Sequence, residues 1–91
     1  MIMNVNEELF KEYYKLSNEE RQSLLDKTTD NVFEYMNMLI KQLKMTKPEA
    51  VNMILRSMLN LRKEAMDNEQ YEKVDILDKL KVNIESYANT W

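Results

Sequence analysis

The stretch LKMTKPEAVNMILRSML, Leu43 to Leu59, marks the end of one helix and the start of the next. Its segment TKPE, which begins at Thr46, is a capping-box pattern. In such a box the Thr hydroxyl accepts a hydrogen bond from the N–H of Glu49, and the Glu49 carboxylate accepts one from the N–H of Thr46. Pro48 suits the first helical turn, where its missing N–H would have no partner. The stretch therefore predicts two helices joined by a short turn.

Apolar residues recur every three or four positions along the chain, which is the spacing that gives a helix one buried face. This periodicity predicts helices at about residues 7–16, 18–44, 47–65 and 71–87, followed by a fraying tail, ANTW. The polar run DKTTDN, residues 26–31, interrupts the second helix, and Thr and Asn are weak helix formers. We therefore expect two helical pieces in near continuity there. Besides Thr46, the predicted caps are Asn4 or Asn6, Ser17 with Glu20, and Asp67 or Asn68.

The composition supports an all-helical protein. The 91 residues include no Gly and one Pro, whereas β-sheet domains and phosphate-binding folds need Gly in turns and loops. An apolar fraction of 44% is too high for a disordered chain. The prediction is an all-α fold, a small antiparallel bundle of three to four helices with short loops, in one domain covering residues 1–91.

Composition also argues against several functions. The chain has no Cys and no His, so it lacks disulfides, thiol chemistry and the commonest general base and metal ligand. We therefore expect a non-enzymatic protein with no catalytic site and no cofactor.

There is no apolar run of about 20 residues, and MIMNVNEELF is not a secretory signal. This predicts a cytoplasmic protein without membrane contact. Frequent Asn, Lys, Met and Ile are typical of low-GC bacteria and their phages.

Four carboxylates are spaced three residues apart near the C-terminus: Glu69, Glu72, Asp75 and Asp78. Carboxylates alone suit Mg²⁺ or Ca²⁺. However, lysines are interleaved with them and no Gly-bearing calcium loop is present. Negative charge near a helix N-terminus also stabilises the helix dipole. We interpret the row as a solvated face and expect no metal site.

Charge is distributed unevenly. Residues 1–40 hold eight acids and four bases (net −4), residues 41–63 hold one acid and six bases (net +5), and residues 64–91 hold seven acids and three bases (net −4), which together give the total of −3. The basic middle could attract nucleic acid or an acidic partner. Alternatively, the acidic helices pair with it inside the bundle or across a dimer.

The opening stretch is similar to a helix-turn-helix motif. Apolar residues lie about where that motif buries its contacts, namely Leu39, Leu43, Met45, Ala50 and Met53. A recognition helix starting at Lys47 would present Glu49, Asn52, Arg56 and Asn60 outward, and Asn and Arg can read bases. Glu49, however, lies where phosphates should approach, and Lys44 stands where the motif usually has Gly. The nucleic-acid site under this alternative is Lys47, Asn52, Arg56 and Lys63.

The stretch LRKEAMDNEQYEKVDILDKLKVNI, Leu61 to Ile84, resembles the UVR motif, the helical hairpin of the excision-repair proteins UvrB and UvrC. The matching positions are Ala65, the pair Tyr71-Glu72, Val74 and Leu77. The Leu-Arg-Asp run of that family is represented only by Leu77-Asp78-Lys79, and Leu80 is displaced by one position. The resemblance implies a hairpin that pairs with itself or with another protein.

Eight Met and five Tyr are many for this length, and both residue types are common at protein-binding surfaces. We predict a protein–protein interaction module: a small regulator or inhibitor of a bacterial host protein, encoded by a phage or mobile element and homodimeric. A DNA-binding transcriptional regulator is the alternative. The predicted partner-binding residues are Tyr13, Tyr14, Tyr71, Val74, Leu77, Leu80, Ile84 and Tyr87. Whether the stripe on the last helix closes the core or a dimer is left open by the sequence.

Overall fold

The computed structural model describes the backbone of residues 7–91 and the side chains from residue 9 onward, so the predicted caps at Asn4 or Asn6 lie outside the described residues. The helices are α1 (Glu7–Glu12), α2 (Asn18–Leu43), α3 (Lys47–Asp67) and α4 (Tyr71–Ala88), and a 3₁₀ turn follows α1 at Tyr13–Lys15. Helices α2, α3 and α4 pack against one another, and α1 lies against α2 and α4. The predicted all-α bundle is confirmed, since residues 7–91 contain no strand.

Two capping boxes begin α2 and α3 as predicted. The Ser17 hydroxyl accepts from the Glu20 N–H at 3.3 Å, and Glu20 accepts from the Ser17 N–H at 3.1 Å. The equivalent distances for Thr46 and Glu49 are 3.3 and 3.0 Å. Hydrogen bonds to Ser17 and Thr46 lower the pKa of the Glu20 and Glu49 carboxyls, because they stabilise the charged form. Both helix starts are thus set by local sequence.

Helix α2 runs without a break through DKTTDN, so the prediction of two pieces is wrong. Thr28 and Thr29 are buried, and each hydroxyl donates to the carbonyl four residues earlier at 2.8 Å. Thr29 also accepts a hydrogen bond of 2.8 Å from the side-chain amide of Asn83 in α4. Packing between helices therefore outweighs the weak helix propensity of the polar run.

Two residues with left-handed backbone conformation end helices in this glycine-free chain. Lys44 has φ 56° at the end of α2, and Glu69 has φ 58° between α3 and α4. The short α3–α4 connection is held by the N–H of Gln70, which donates to the carbonyl of Ala65 at 2.8 Å. Gln70 precedes α4 without a side-chain cap. The predicted cap at Asp67 or Asn68 is therefore wrong, because α3 continues through Asp67.

The core draws apolar side chains from all four helices. Its fully buried members include Leu9, Met36, Ile54, Leu80 and Ile84, one or more from each helix. Burying a side chain of this size contributes roughly 1.5–3 kcal/mol to folding. The apolar stripes of α2, α3 and α4 are thus buried against one another within the same chain.

The C-terminal residues are ordered against the bundle, so the prediction that ANTW frays is wrong. The N–H groups of Thr90 and Trp91 donate to the carbonyls of Tyr87 and Ala88. The Trp91 ring packs edge-on against Phe33, with ring centroids 4.9 Å apart. Lys47 lies 5.2 Å above the Trp91 ring and donates to its carbonyl at 2.9 Å. These contacts join the end of α4 to α2 and the start of α3.

Candidate functional site

Most of the predicted partner-binding residues belong to the core. Tyr13 and the α4 stripe residues are buried: Tyr13, Val74, Leu77, Leu80 and Ile84. Their side chains present no surface to a partner of the folded chain, which corrects their assignment as contact residues. The stripe on the last helix packs against α2 and α3 of the same chain. It therefore closes the intramolecular core.

The other three predicted residues, Tyr14, Tyr71 and Tyr87, are exposed but do not form one surface. Tyr71 and Tyr87 lie at opposite ends of α4, about 24 Å apart at the helical rise of about 1.5 Å per residue. Tyr87 leans on Phe33, with ring centroids 6.0 Å apart. Tyr14 is held against the side of α4. Only Tyr71, which is 61% exposed, has an aromatic ring largely free for contact.

Tyr14 fastens the N-terminal segment to α4. Its hydroxyl donates to the Asp75 carboxylate at 2.7 Å, and Lys79 reaches the same oxygen at 3.1 Å. Burial and the hydrogen bond to Asp75 raise the pKa of Tyr14 to about 12. The hydrogen bonds from Tyr14 and Lys79 lower the pKa of the Asp75 carboxyl. This cluster is a structural contact, because each of its polar groups is engaged within the chain.

Arg21 stabilises the same segment from α2. Its guanidinium donates to the carbonyls of Tyr13 and Tyr14 at 2.9 and 3.1 Å. It also lies 5.2 and 5.4 Å from the centres of their two rings. The two adjacent rings also contact each other edge to face, with centroids 5.2 Å apart. Both tyrosines therefore contact Arg21 of the same chain, and Tyr14 also donates a hydrogen bond to Asp75.

A different set of residues forms a continuous exposed surface on α3. Asn52, Arg56, Leu59 and Lys63 follow one another at intervals of four, three and four residues and are all exposed. Such intervals place side chains on one side of a helix. Leu59 is 55% exposed in the middle of this row. The row is basic at two positions and apolar at one.

Helix α4 carries a matching row. Tyr71, Asp75, Asp78, Val82 and Glu85 follow at intervals of four, three, four and three residues, and all are exposed. Val82 is 66% exposed between two acidic residues. The row is acidic at three positions and apolar or aromatic at two. It lies opposite the buried stripe of the same helix.

The α3 and α4 rows flank a common groove. Arg62 joins the two helices by donating to Asp78 at 2.8 Å. Around this pair lies a groove of about 280 Å³. Its lining comprises Met58, Leu59, Arg62, Leu77, Asp78 and Lys81. We call the two rows and this groove the outer face: residues 52, 56, 59 and 63 of α3, residues 71, 75, 78, 82 and 85 of α4, and the remaining groove residues 58, 62, 77 and 81.

The basic segment is largely unpaired. Of its six bases, Arg62 pairs with Asp78, and Lys47 contacts Trp91. The other four have no acidic partner within 4.0 Å among the residues whose side chains are described: Lys41, Lys44, Arg56 and Lys63. From residue 9 onward, pairing of the acidic helices with the basic segment is therefore limited to the ion pair between Arg62 and Asp78.

The residues predicted for nucleic-acid binding are all exposed: Lys47, Asn52, Arg56 and Lys63. Three of them belong to the α3 row, whereas Lys47 is engaged with Trp91. Among the positions that a helix-turn-helix would bury, Leu39 and Ala50 are buried, but Leu43 is 65% exposed. The turn itself is built by Lys44 in the left-handed conformation where that motif usually has Gly.

The carboxylate row does not gather into a metal-binding group. Asp75 and Asp78 are engaged with Tyr14, Lys79 and Arg62. No group of three or more His, Cys, Asp or Glu side chains that could hold a metal ion occurs from residue 9 onward. In the same part of the chain, no helix has the length and apolar character needed to cross a membrane.

The outer face could have been found from the sequence by a different criterion. Leu59 and Val82 are large aliphatic residues outside the continuous apolar stripes of their helices, whereas the predicted partner-binding residues lie mostly on those stripes. An apolar stripe is satisfied by the core, whereas a lone large apolar residue among charges remains exposed. The sequence signal for the outer face is therefore a large apolar residue that lies outside the periodic apolar stripe of its helix.

Helices α3 and α4 form a helical hairpin across the stretch that resembles the UVR motif. Of the matched positions, Ala65, Val74 and Leu77 are buried, so the outer face consists mainly of other residues. Tyr71 is the matched position in its α4 row, and Leu77 lines its groove. Against known proteins, no family model, no curated protein and no solved structure matches this chain significantly.

Proposed function

We propose that this chain is a non-enzymatic protein–protein interaction module that binds through its outer face. The observation that carries the proposal is the exposure of Leu59 and Val82 at 55% and 66% on neighbouring helices, with Leu59 lining the groove and Val82 lying between Asp78 and Glu85 in the α4 row. Apolar centres with a polar rim are typical of specific protein contacts. Tyr71 adds an exposed aromatic ring, a residue type enriched among binding hot spots.

The biological role that we propose is a small regulator or inhibitor of a bacterial protein. A chain of 91 residues without Cys or His would act by occupying a surface rather than by chemistry. The acidic side of α4 suits a partner with basic residues around an apolar site. The composition suggests a low-GC bacterium or its phage as the source of the partner.

The test is a pull-down from a low-GC bacterial lysate with three forms of the chain. The wild type and Leu43→Asp should retain the same protein, whereas Leu59→Asp with Val82→Asp should lose it. Leu43 is the matched control because it is 65% exposed but lies at the end of α2. Nuclease treatment should leave the retained protein unchanged. Retention by the outer-face variant would contradict the proposed contact.

A second candidate function is DNA binding by the exposed side of α3. It is favoured by the four bases without an acidic partner described above, two of which, Arg56 and Lys63, lie on one side of that helix. The acidic row of α4 on the same face opposes it, since phosphates would be repelled there. Glu49 in the first turn of α3 also opposes it.

This alternative is tested by fluorescence anisotropy with a labelled mixed-sequence DNA duplex at low and moderate salt. Binding through Arg56 and Lys63 would weaken steeply as salt rises and would be lost in Arg56→Gln with Lys63→Gln. We expect no saturable binding at either salt concentration. Saturable, salt-sensitive binding that these substitutions abolish would favour the DNA-binding function instead.

A further inference from the structure

We propose that the occupant of the outer face is a second copy of this chain, related by a two-fold axis that runs parallel to α3 and α4. In this arrangement α3 of each copy lies over α4 of the other. The inference rests on the proposed function, because it uses the same face, and it goes further by naming the partner and the geometry. The charges on the face carry it.

Unpaired charge in the two rows is segregated by helix, while Arg62 and Lys81 line the groove between them. The α3 row contributes Arg56 and Lys63 and no acid, and the α4 row contributes Asp75, Asp78 and Glu85 and no base. Arg56 and Lys63 have no acidic partner, and Glu85 has no basic partner, among the described side chains. Asp75 is paired with Lys79, and Asp78 with Arg62. The rows therefore present two unpaired bases on α3 and one unpaired acid, Glu85, on α4, with Leu59 and Val82 between the charged positions of each row.

Two kinds of two-fold axis can stack this face on itself. An axis perpendicular to the helices places α3 over α3, which sets Arg56 and Lys63 against their own copies. An axis parallel to the helices places α3 over α4, which sets the unpaired bases of α3 against the row of α4 that contains the unpaired Glu85. Like charges directly opposed at an interface are unfavourable, and unlike charges fix its register. The parallel axis is therefore the self-complementary choice.

The register within one chain supports the pairing. The bond between Arg62 and Asp78 places these two residues side by side. Because α3 and α4 run in opposite directions, each residue that follows Arg62 in α3 lies beside one that precedes Asp78 in α4, and the reverse. Rotation about an axis parallel to the helices does not change the position of a residue along that axis, and it places α3 of one copy over α4 of the other. Arg56 then lies over Glu85, Leu59 over Val82 and Lys63 over Asp78 of the second copy, each within one residue. Leu59 and Val82 meet, Arg56 meets the unpaired Glu85, and Lys63 lies near Asp78, which also pairs with Arg62 of its own chain.

The size of the face is sufficient for a weak, specific dimer. Helix α4 has 18 residues and spans about 27 Å, and neighbouring helices lie about 10 Å apart. A two-helix face of about 27 by 20 Å on each copy buries on the order of 1,000 Å² in total, the lower end of specific interfaces. We therefore expect a dissociation constant in the micromolar range.

The first experiment measures the molecular mass of the full chain by sedimentation equilibrium over about 5–500 µM, which brackets that range. Wild type and Leu43→Asp should shift from monomer to dimer over this range. Leu59→Asp and Val82→Asp should stay monomeric, with unchanged helical circular dichroism because both side chains are exposed. A wild type that is monomeric throughout, or a dimer unaffected by both outer-face variants, would overturn the inference.

Charge reversal distinguishes the two axes. Arg56→Glu and Glu85→Lys should each weaken the dimer about tenfold or more, because a dimer has two such pairs and each becomes repulsive. The double variant should recover affinity close to that of wild type. Failure of the double variant to recover while each single variant weakens the dimer would refute the pairing of α3 with α4.

The absence of Cys allows a direct test of proximity. Equal amounts of Leu59→Cys and Val82→Cys are mixed under mild oxidation. The mixture should form a covalent dimer faster than either variant alone, because only the mixture brings residue 59 over residue 82. Equal rates for the mixture and for Leu59→Cys alone would support the axis perpendicular to the helices instead.

Failure of this inference is distinguishable from failure of the proposed function. If the chain is monomeric yet retains a lysate protein that Leu59→Asp with Val82→Asp loses, the face binds protein and only the choice of partner is wrong. If the same variants change neither self-association nor retention, the outer face is not a contact surface and both proposals fail.

Discussion

The two sides of α4 differ in what their apolar residues do. The inner side is a stripe whose central members, Leu80 and Ile84, are 0% exposed. The outer side has one aliphatic residue, Val82, between Asp78 and Glu85, and it is 66% exposed. A repeated apolar pattern thus indicates the core, whereas an isolated apolar residue on a charged side indicates a surface available to a partner.

The largest effect expected from this comparison comes from the inner side. Leu80→Ala should reduce the free energy of unfolding by about 2–5 kcal/mol, because it removes buried methyl groups and leaves a cavity. Urea denaturation followed by circular dichroism measures the change. Tyr71→Ala on the outer side is the control and should change stability by less than about 0.5 kcal/mol. Similar decreases in the free energy of unfolding for both variants would show that the two sides of α4 contribute equally to stability.

The border between the two sides is tested at the contact of α4 with α2. Thr29→Val keeps the shape of the side chain but removes the hydroxyl that accepts from Asn83. We expect a loss of about 1–2 kcal/mol, since the Asn83 amide loses a partner in a partly buried site. The same denaturation assay applies. An unchanged midpoint would mean that the buried hydroxyl does not hold α2 against α4.

The capped start of α3 should matter less than the buried contacts of α4. Thr46→Ala removes the side-chain cap of α3, and loss of such a cap costs about 1 kcal/mol. Thr46→Ser keeps the hydroxyl and is the matched control, so it should remain close to wild type. If both variants lose the same stability, the methyl group and not the cap is responsible.

The edge of the outer side next to α1 should respond to pH. The folded-state pKa of Tyr14 is raised from 10.0 to about 12, so its contribution to stability is complete below pH 10 and is lost as pH rises towards 12. The pKa of Asp75 is lowered, so its contribution is lost as pH falls below the ordinary value of 3.8. Absorbance titration of tyrosinate should show that Tyr14→Phe removes the last-ionising component, and Tyr71→Phe should not. An unchanged alkaline end point in Tyr14→Phe would contradict this.

The smallest effect on stability should come from the centre of the outer side. Val82→Ala should change the free energy of unfolding by less than about 0.5 kcal/mol when measured on the dilute monomer. The same variant should weaken self-association, because Val82 lies opposite Leu59 of the second copy in the proposed dimer. A large loss of monomer stability would show that Val82 supports the fold.

The sequence predicted the helices well where local chemistry decides them. The boxes at Ser17 and Thr46 set the starts of α2 and α3 because each cap is satisfied within four residues. The prediction of a break at DKTTDN was wrong, because Asn83 of α4 donates a hydrogen bond to Thr29 within this run. The prediction of a fraying tail was also wrong, because Trp91 packs on Phe33. These features depend on contacts between segments far apart in the chain.

The candidate site was predicted less well than the fold. The stripe of α4 was assigned to partner binding, although a chain this small needs most of its apolar stripes for its own core. Periodicity gives the direction of a side chain but not what lies in that direction. The roles of Leu80 and Val82 could be separated only once the position of α3 and α2 around α4 was known.

The docking of the last residues has a spectroscopic consequence. Trp91 is the single tryptophan of the chain, and its ring contacts Phe33 of α2 and Lys47 of α3. Its emission therefore reports whether the end of α4 is seated against the other helices, a local event at the end opposite Tyr71 and the α3–α4 turn. Together with circular dichroism, which follows the helices as a whole, this natural fluorophore separates undocking of the C-terminus from unfolding of the bundle.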